Sequence, residues 1–255
     1  MGAMTAPPTT PPAWAARTRV DRALAAGEEP HALWAAAQPD VEVGLAVVEH
    51  LLGRWQLDEA AAMLGELRPE GPAAQATAVV LRQRVLAARE APLDRAALEH
   101  ALADLVADAR WSVAFDACCL LAADAVELAE IRRLRVLAVG LAEAAGGVWL
   151  GAAQLRQLAA AELAAGEAAR CLVHLRHALR RLDAVPLLGA RLERGRCHEL
   201  AAEALVVIGD VAAARVDLDR AAEAYAHRDF AASHRTRVAT RRAALATPGA
   251  PDQEA

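Results

Sequence analysis

Apolar residues recur along this chain at the spacing of an amphipathic helix, in segments that glycine, proline and acidic residues separate. No segment shows the regular alternation of a convincing strand. The connections between segments are short, so neighbouring helices are predicted to be antiparallel. The pattern predicts helices over residues 13–26, 30–38, 41–52, 58–67, 72–89, 92–107, 111–125, 129–145, 148–165, 167–182, 187–208, 211–225 and 229–245.

Two of these segments repeat one another with a period of 43 residues. In each, a glycine with an acidic neighbour is followed by a small residue, then a leucine and then an alanine. The glycine ends one helix, the acidic residue favours the start of the next, and the small residues allow two helices to approach closely. The matched positions are Gly166, Cys171, Leu175 and Ala178 in one segment and Gly209, Ala214, Leu218 and Ala221 in the other.

Weaker matches to the same pattern occur earlier in the chain. Their positions are Ala60, Leu64 and Leu67 after Gly53, Ala96 and Ala103 after Ala91, and Ile131 and Ala138 after Val126. These matches predict that the earlier helices bury the corresponding side chains.

The pattern resembles the tetratricopeptide repeat, whose second helix carries small residues at those two places. Repeats nearer 40 residues resemble the helical-repeat arms of MalT-like and other large bacterial regulators. The first helices lack the regular Trp, Leu-Gly and Tyr positions of the family. The resemblance implies an all-α protein, a right-handed superhelix of antiparallel helical hairpins with roughly five repeats plus capping helices. The first helix of each pair would line its concave face.

No internal feature of the sequence divides the helical segments into groups. A single helical-repeat domain is therefore predicted over residues 13–246. Residues 1–12, which begin with MGAM in the form of an expression scar, are predicted to be a disordered N-terminal segment, and residues 247–255 a disordered tail.

Composition and charge narrow the class of protein. Apolar residues make up 56% of the 255 residues, and the net charge of −5 disfavours a general nucleic-acid binder. Apolar runs are shorter than the ~20 residues that span a bilayer, and the N-terminus lacks a signal-peptide pattern. The four cysteines form no CxxC pair, which favours reduced thiols. A cytoplasmic protein with no membrane contact is expected.

Three potential metal ligands, Cys171, His174 and His177, lie three residues apart in one predicted helix. A straight helix aims only two of them at one point, whereas zinc needs about four converging ligands. We therefore predict a packing cysteine and surface histidines, with no metal and no cofactor. The chain also lacks the P-loop, GxGxxG, GxSxG and HExxH motifs, which favours a protein that is not an enzyme.

The candidate partner-binding residues are tryptophans and arginines, the side chains that interface hot spots favour. The two candidate tryptophans each lie near the start of the first helix of a predicted hairpin, although each could instead fill a gap between helices. The predicted partner contacts are Trp111, Trp149, Arg156, Arg191, Arg194 and Arg196.

The last predicted helix is locally basic in an acidic chain. Its arginines suit a solvated capping helix, or else a contact to an acidic partner, a second copy or nucleic acid. The arginines are Arg228, Arg235, Arg237, Arg241 and Arg242.

These observations favour a non-catalytic scaffold or regulator that binds a partner protein segment, or another copy of itself, on the concave face. The first alternative is a regulatory module that senses a small-molecule ligand between hairpins. The second is contact with nucleic acid or another anionic partner through the last helix, which the sequence favours less because its arginines are not regularly interleaved with aromatic residues.

Overall fold

A computed structural model describes residues 13–183, 185–226 and 232–246, and within these ranges the chain is helical with no strand. The prediction of an all-α protein is confirmed. The helices are α1 Ala13–Ala25, α2 Pro30–Ala37, α3 Val41–Gly53, α4 Leu57–Glu66, α5 Pro72–Ala88, α6 Arg95–Ala107, α7 Trp111–Asp124, α8 Leu128–Ala144, α9 Val148–Ala164, α10 Ala168–Leu182, α11 Leu188–Ile208, α12 Val211–Ala224 and α13 Ala232–Ala246.

Local chemistry sets the ends of these helices. The Asp94 carboxylate accepts a hydrogen bond from the backbone N–H of Ala97 at 3.0 Å and so caps the start of α6. Asp210 caps α12 in the same way through the N–H of Ala213, at 2.9 Å. Gly209, which closes α11, has a φ of 92°, a left-handed conformation that side chains with a Cβ rarely adopt.

The chain divides into two compact units. Unit 1 spans residues 1–124 and holds α1 to α7, and unit 2 spans residues 125–255 and holds α8 to α13. Compactness does not show whether a part folds on its own, so the single domain over residues 13–246 stays a prediction. The predicted disordered segments, residues 1–12 and 247–255, lie outside the described residues.

In unit 1 each helix packs on the next, and the alternate helices α1, α3, α5 and α7 also pack on one another in that order. Its core is aliphatic, with Val47, Val48 and Leu51 of α3 fully buried. Unit 2 follows the same scheme, because consecutive helices from α8 to α13 are in contact and α9 also contacts α11.

In α10 and α12 the side chains at the matched positions of the repeat are buried. Cys171, Leu175 and Ala178 are at most 1% exposed, as are Ala214, Leu218 and Ala221. The earlier match is wrong in α6, where Ala96 and Ala103 are exposed. There the core takes Leu98, Ala101 and Leu105 instead, so α6 packs on its neighbours with a different face from the one that the match predicts.

Candidate functional site

Four charged side chains, one from each alternate helix of unit 1, meet in two ion pairs. Arg17 of α1 lies 3.0 Å from the carboxylate of Glu49 in α3, measured between Nη2 and Oε1. Arg84 of α5 donates to Oδ2 of Asp116 in α7 at 2.8 Å. We refer to this cluster of four residues as the inner groove of unit 1.

Arg17 also reaches across this groove. Its Nη1 donates to the hydroxyl of Ser112 in α7 at 3.1 Å. Helix α1 packs on α2 and α3, whereas α7 packs on α5 and α6. The long Arg17 side chain therefore joins the first alternate helix of the unit to the last.

The groove holds its two carboxylates partly out of water. The Glu49 and Asp116 side chains are 22% and 27% exposed. Burial raises the pKa of both carboxyl groups, and the opposite charges of Arg17 and Arg84 only partly counter it. The second oxygen of each carboxylate receives no hydrogen bond from a described residue, so both carboxylates retain acceptor capacity.

A half-buried ion pair fixes the start of α7, which carries Ser112 and Asp116. Arg110 donates two hydrogen bonds to the carboxylate of Glu42 in α3, at 2.7 and 3.0 Å. It also donates to the hydroxyl of Thr77 in α5 at 3.2 Å. Arg110 thus connects the start of α7 to both α3 and α5, and these contacts orient the groove side chains of α7.

Unit 2 holds its charged groups by a different geometry. The Glu162 side chain of α9 is 1% exposed and receives two hydrogen bonds from Arg132 of α8, both at 2.7 Å. These hydrogen bonds lower the pKa of Glu162. His174 of α10 lies 3.8 Å from the same carboxylate.

A second buried glutamate in unit 2 anchors the last helix. Glu199 of α11 receives two hydrogen bonds from Arg237 of α13, at 2.7 and 2.5 Å, and one from the hydroxyl of Tyr225 at 2.8 Å. Burial raises the pKa of Glu199, but these hydrogen bonds outweigh burial and leave it lowered. The Tyr225 ring stacks on His234 at 4.8 Å between centroids and lies against Gly195.

The predicted partner arginines of α9 and α11 are mostly engaged within unit 2. Arg156 and Arg196 both bond to the buried carboxylate of Glu193, at 2.7 and 2.5 Å. Arg191 donates to the backbone carbonyls at the end of α12, those of Ala224 and Glu223. Arg194 is half-buried and makes no hydrogen bond or ion pair with a described residue.

The two predicted tryptophans are both half-buried. Trp149 packs against the hydrophobic core of unit 2, close to Gly189. Trp111 is the first residue of α7 and directly precedes Ser112, whose hydroxyl accepts from Arg17. Trp111 is thus the predicted partner residue nearest in sequence to the inner groove.

The basic last helix is largely neutralised by carboxylates. Arg237 bonds to Glu199, Arg241 contacts Glu203 and Arg242 lies 2.6 Å from Asp219. Arg235 is exposed, and Arg228 lies outside the described residues.

Sequence reasoning missed these charge pairs, although a signal for them exists. The pairs Arg84–Asp116, Arg132–Glu162, Arg156–Glu193 and Arg237–Glu199 join residues 32, 30, 37 and 38 positions apart. That is about the length of one helical hairpin. Opposite charges at hairpin spacing would therefore have suggested these partners.

The cysteine and histidine set of α10 is spread over different environments. Cys171 is fully buried, and burial raises the pKa of its thiol to about 12. His177 is exposed, whereas His174 faces Glu162. Within the described ranges, no three His, Cys, Asp or Glu residues are grouped so that they could hold a metal ion.

Comparisons with known proteins find no matching family model, no matching curated protein and no matching solved structure. In the part of the chain that the structure describes, no helix has the length and apolar character needed to cross a membrane.

Proposed function

We propose that this chain is a non-catalytic helical-repeat scaffold whose inner groove in unit 1 binds a segment of a partner protein. The proposal includes a right-handed superhelix of tetratricopeptide-like hairpins. It is supported by the equal burial of the positions that recur after 43 residues, Cys171 with Ala214, Leu175 with Leu218 and Ala178 with Ala221.

The observation that carries the proposal is the incomplete pairing of the groove carboxylates. Glu49 and Asp116 are desolvated enough to raise the pKa of each, yet each has one oxygen without a donor among the described residues. Such groups gain from a donor that arrives with a partner. Backbone N–H groups of an extended segment, or its basic side chains, supply donors of this kind.

Site-specific photo-crosslinking tests this groove directly. A photoreactive phenylalanine analogue replaces Trp111, at the start of α7, and in a matched control it replaces Trp55, which is 75% exposed between α3 and α4. We expect the analogue at position 111 to crosslink a partner segment in cells. Crosslinking at position 55 alone, or equal crosslinking at both, would contradict the proposal.

A charge-neutralising variant sharpens the same test. Glu49→Gln with Asp116→Asn removes both negative charges of the groove, whereas Asp58→Asn with Glu99→Gln removes two exposed negative charges of α4 and α6. We expect the first pair to abolish the crosslink at position 111 and the second pair to preserve it. An unchanged crosslink in the groove variant would exclude the carboxylates as the binding determinants.

The alternative functions make different predictions for the same chain. A ligand-sensing module would show a raised unfolding midpoint with a small molecule, and the groove variant would lose that shift. Nucleic-acid contact through the last helix is less favoured, because carboxylates of α11 and α12 already pair with Arg237, Arg241 and Arg242.

A further inference from the structure

Helix α10 presents a basic surface that the sequence pattern alone did not single out. The helix carries four arginines and two histidines but no Asp or Glu between Ala168 and Leu182. One face, which includes Cys171 and Leu175, is buried. The opposite face is exposed along its length and consists of Ala169, Arg170, Val173, Arg176, His177 and Arg180, which we call the α10 stripe.

The spacing of the α10 stripe makes it one continuous surface. Residues three and four apart lie on the same side of a helix, and positions 169 to 180 follow that rule. At 1.5 Å per residue the stripe is about 16 Å long. That length matches about three turns of a docked helix or a short extended segment.

The arginines at the centre and end of the stripe make no ion pair within the part of the chain that the structure describes. Arg181, beside the stripe, lies 2.8 Å from Glu143, and Arg170 lies 3.9 Å from Glu167. Arg176 and Arg180 make no hydrogen bond or ion pair with a described residue. The arrangement contrasts with α13, where three arginines pair with carboxylates of α11 and α12.

An apolar side chain interrupts the charges. Val173 is 46% exposed between Ala169 and Arg176 on the stripe. A segment with acidic residues around one apolar residue complements this arrangement, because it covers Val173 while it pairs with the arginines. A nucleic acid fits it less well, since the stripe offers no Phe, Tyr or Trp ring for base stacking and only a short run of cations.

We propose that the α10 stripe binds an acidic segment of a partner protein, with carboxylates on Arg176 and Arg180 and one apolar side chain on Val173. This surface belongs to unit 2. The proposal does not depend on the inner groove of unit 1.

Fluorescence anisotropy with the full chain tests the proposal. The probes are a labelled helical peptide with Glu three and four positions apart around a central Leu, the same peptide with Gln for Glu, and a single-stranded RNA oligonucleotide. We expect the Glu peptide to bind at least about tenfold more tightly than the Gln peptide, with an affinity that falls as salt rises. Failure of the Glu peptide to bind, or tighter binding of the RNA, would overturn the proposal.

Charge reversal locates the binding surface. The double substitution Arg176→Glu with Arg180→Glu should lower the affinity for the Glu peptide at least about tenfold. The matched control is Arg54→Glu with Arg82→Glu, which reverses two exposed arginines of unit 1 that also lack a partner among the described residues. The control variant should bind the Glu peptide with the same affinity as the original chain. Equal losses in both variants, or no loss in the α10 variant, would rule out the stripe.

A charge-swap experiment distinguishes loss of the attraction between peptide and stripe from structural damage caused by the substitutions. A Lys version of the peptide should bind the Arg176→Glu, Arg180→Glu chain and not the original one, because the attraction is then restored with opposite signs. If that variant does not keep the original circular dichroism spectrum, Arg176→Gln with Arg180→Gln replaces it and should also lose the Glu peptide. Retained binding by the Gln variant contradicts the proposal.

Discussion

In unit 1 the carboxylates of Glu49 and Asp116 each meet an arginine through one oxygen, whereas in unit 2 Glu162 and Glu199 each receive two hydrogen bonds from one guanidinium. The unit 2 side chains are the more deeply buried, at 1% and 6% exposed, yet their pKa values are lowered. The pKa values of the more exposed unit 1 pair are raised. In unit 2 the paired hydrogen bonds outweigh desolvation and lower each pKa, whereas in unit 1 desolvation outweighs the single contact with an arginine and raises each pKa.

This difference separates two uses of charge in one chain. The bidentate pairs of unit 2 join α8 to α9 and α11 to α13, so they serve the packing of helices. In the single-point pairs of unit 1, one oxygen of each carboxylate receives no hydrogen bond from a described residue, so it retains acceptor capacity. The predictions below test how far that division holds.

The largest expected effect follows removal of the glutamate that anchors α13. Glu199→Ala should lower the free energy of unfolding by about 3 kcal/mol, because the buried Tyr225 hydroxyl and the Arg237 guanidinium lose their acceptor. Asp116→Ala in unit 1 should cost less than about 1 kcal/mol, since Arg84 can turn to water. Urea denaturation measures both, and equal losses would contradict the division between the units.

A smaller loss is expected where the Tyr225 ring packs on α11. A Cβ at Gly195 would lie 2.6 Å from Cζ of Tyr225, so Gly195→Ala should displace the ring and cost about 2 kcal/mol. Gly140 in α8 has no atom within 4 Å of such a Cβ, so Gly140→Ala should stabilise by about 0.5–1 kcal/mol. Thermal unfolding of both variants provides the check. A neutral Gly195 variant would show that Tyr225 is not tightly packed.

Acidification should change the stability that these carboxylates contribute in opposite directions in the two units. The lowered pKa values of Glu162 and Glu199 mean that their stabilisation is present above the unfolded pKa of about 4.3 and is lost as pH falls through the folded values. The raised pKa values of Glu49 and Asp116 mean that protonation favours the folded state, so acidification stabilises unit 1 through these groups.

Amide hydrogen exchange, expressed as protection factors, resolves this pH dependence by helix. We expect α9, α11 and α13 to lose protection below about pH 4 before α3 and α7 do. In a chain with Glu162→Gln and Glu199→Gln the acid sensitivity of unit 2 should diminish. Simultaneous loss across both units in the original chain would contradict the expectation.

The smallest expected effect concerns thiol reactivity and leaves the fold intact. Cys119 in unit 1 is half-buried, whereas Cys171 and Cys197 in unit 2 are fully buried and burial raises the pKa of both thiols to about 12. Cys119 should therefore react with a maleimide at least about tenfold faster at pH 8 than either thiol of unit 2. Mass spectrometry of peptides gives the rates, and a Cys119→Ser chain should show only the slow reactions.

The helices could be predicted closely from the sequence because their boundaries depend on local chemistry. The predicted segment 72–89 corresponds to α5 Pro72–Ala88, and 111–125 to α7 Trp111–Asp124. Breakers such as Gly209 and caps such as Asp210 act within a few residues, so they are readable without the fold. The predicted start of the last helix, residue 229, lies outside the described residues, and within them α13 runs from Ala232 to Ala246.

The side-chain partners could not be predicted because they depend on helix rotation over long separations. Arg17 and Ser112 meet although 95 positions separate them. A small error in the rotation of any intervening helix would move such a pair apart, as the wrong burial pattern in α6 illustrates for Ala96 and Ala103. Composition suggested a basic last helix, but only the fold shows that Glu199, Glu203 and Asp219 face it.

Under the proposed function, the hydrogen bond from Arg17 to Ser112 would let the inner groove discriminate among partner segments. A segment that enters between α1 and α7 must displace this bond and supply an acceptor for the Arg17 guanidinium. Segments without such an acceptor leave a partly desolvated cation unsatisfied, and their affinity falls relative to segments that provide one. The need to break this hydrogen bond would lower the affinity for every segment somewhat and for segments without an acceptor more. The bond would then contribute to the specificity of binding rather than to its strength.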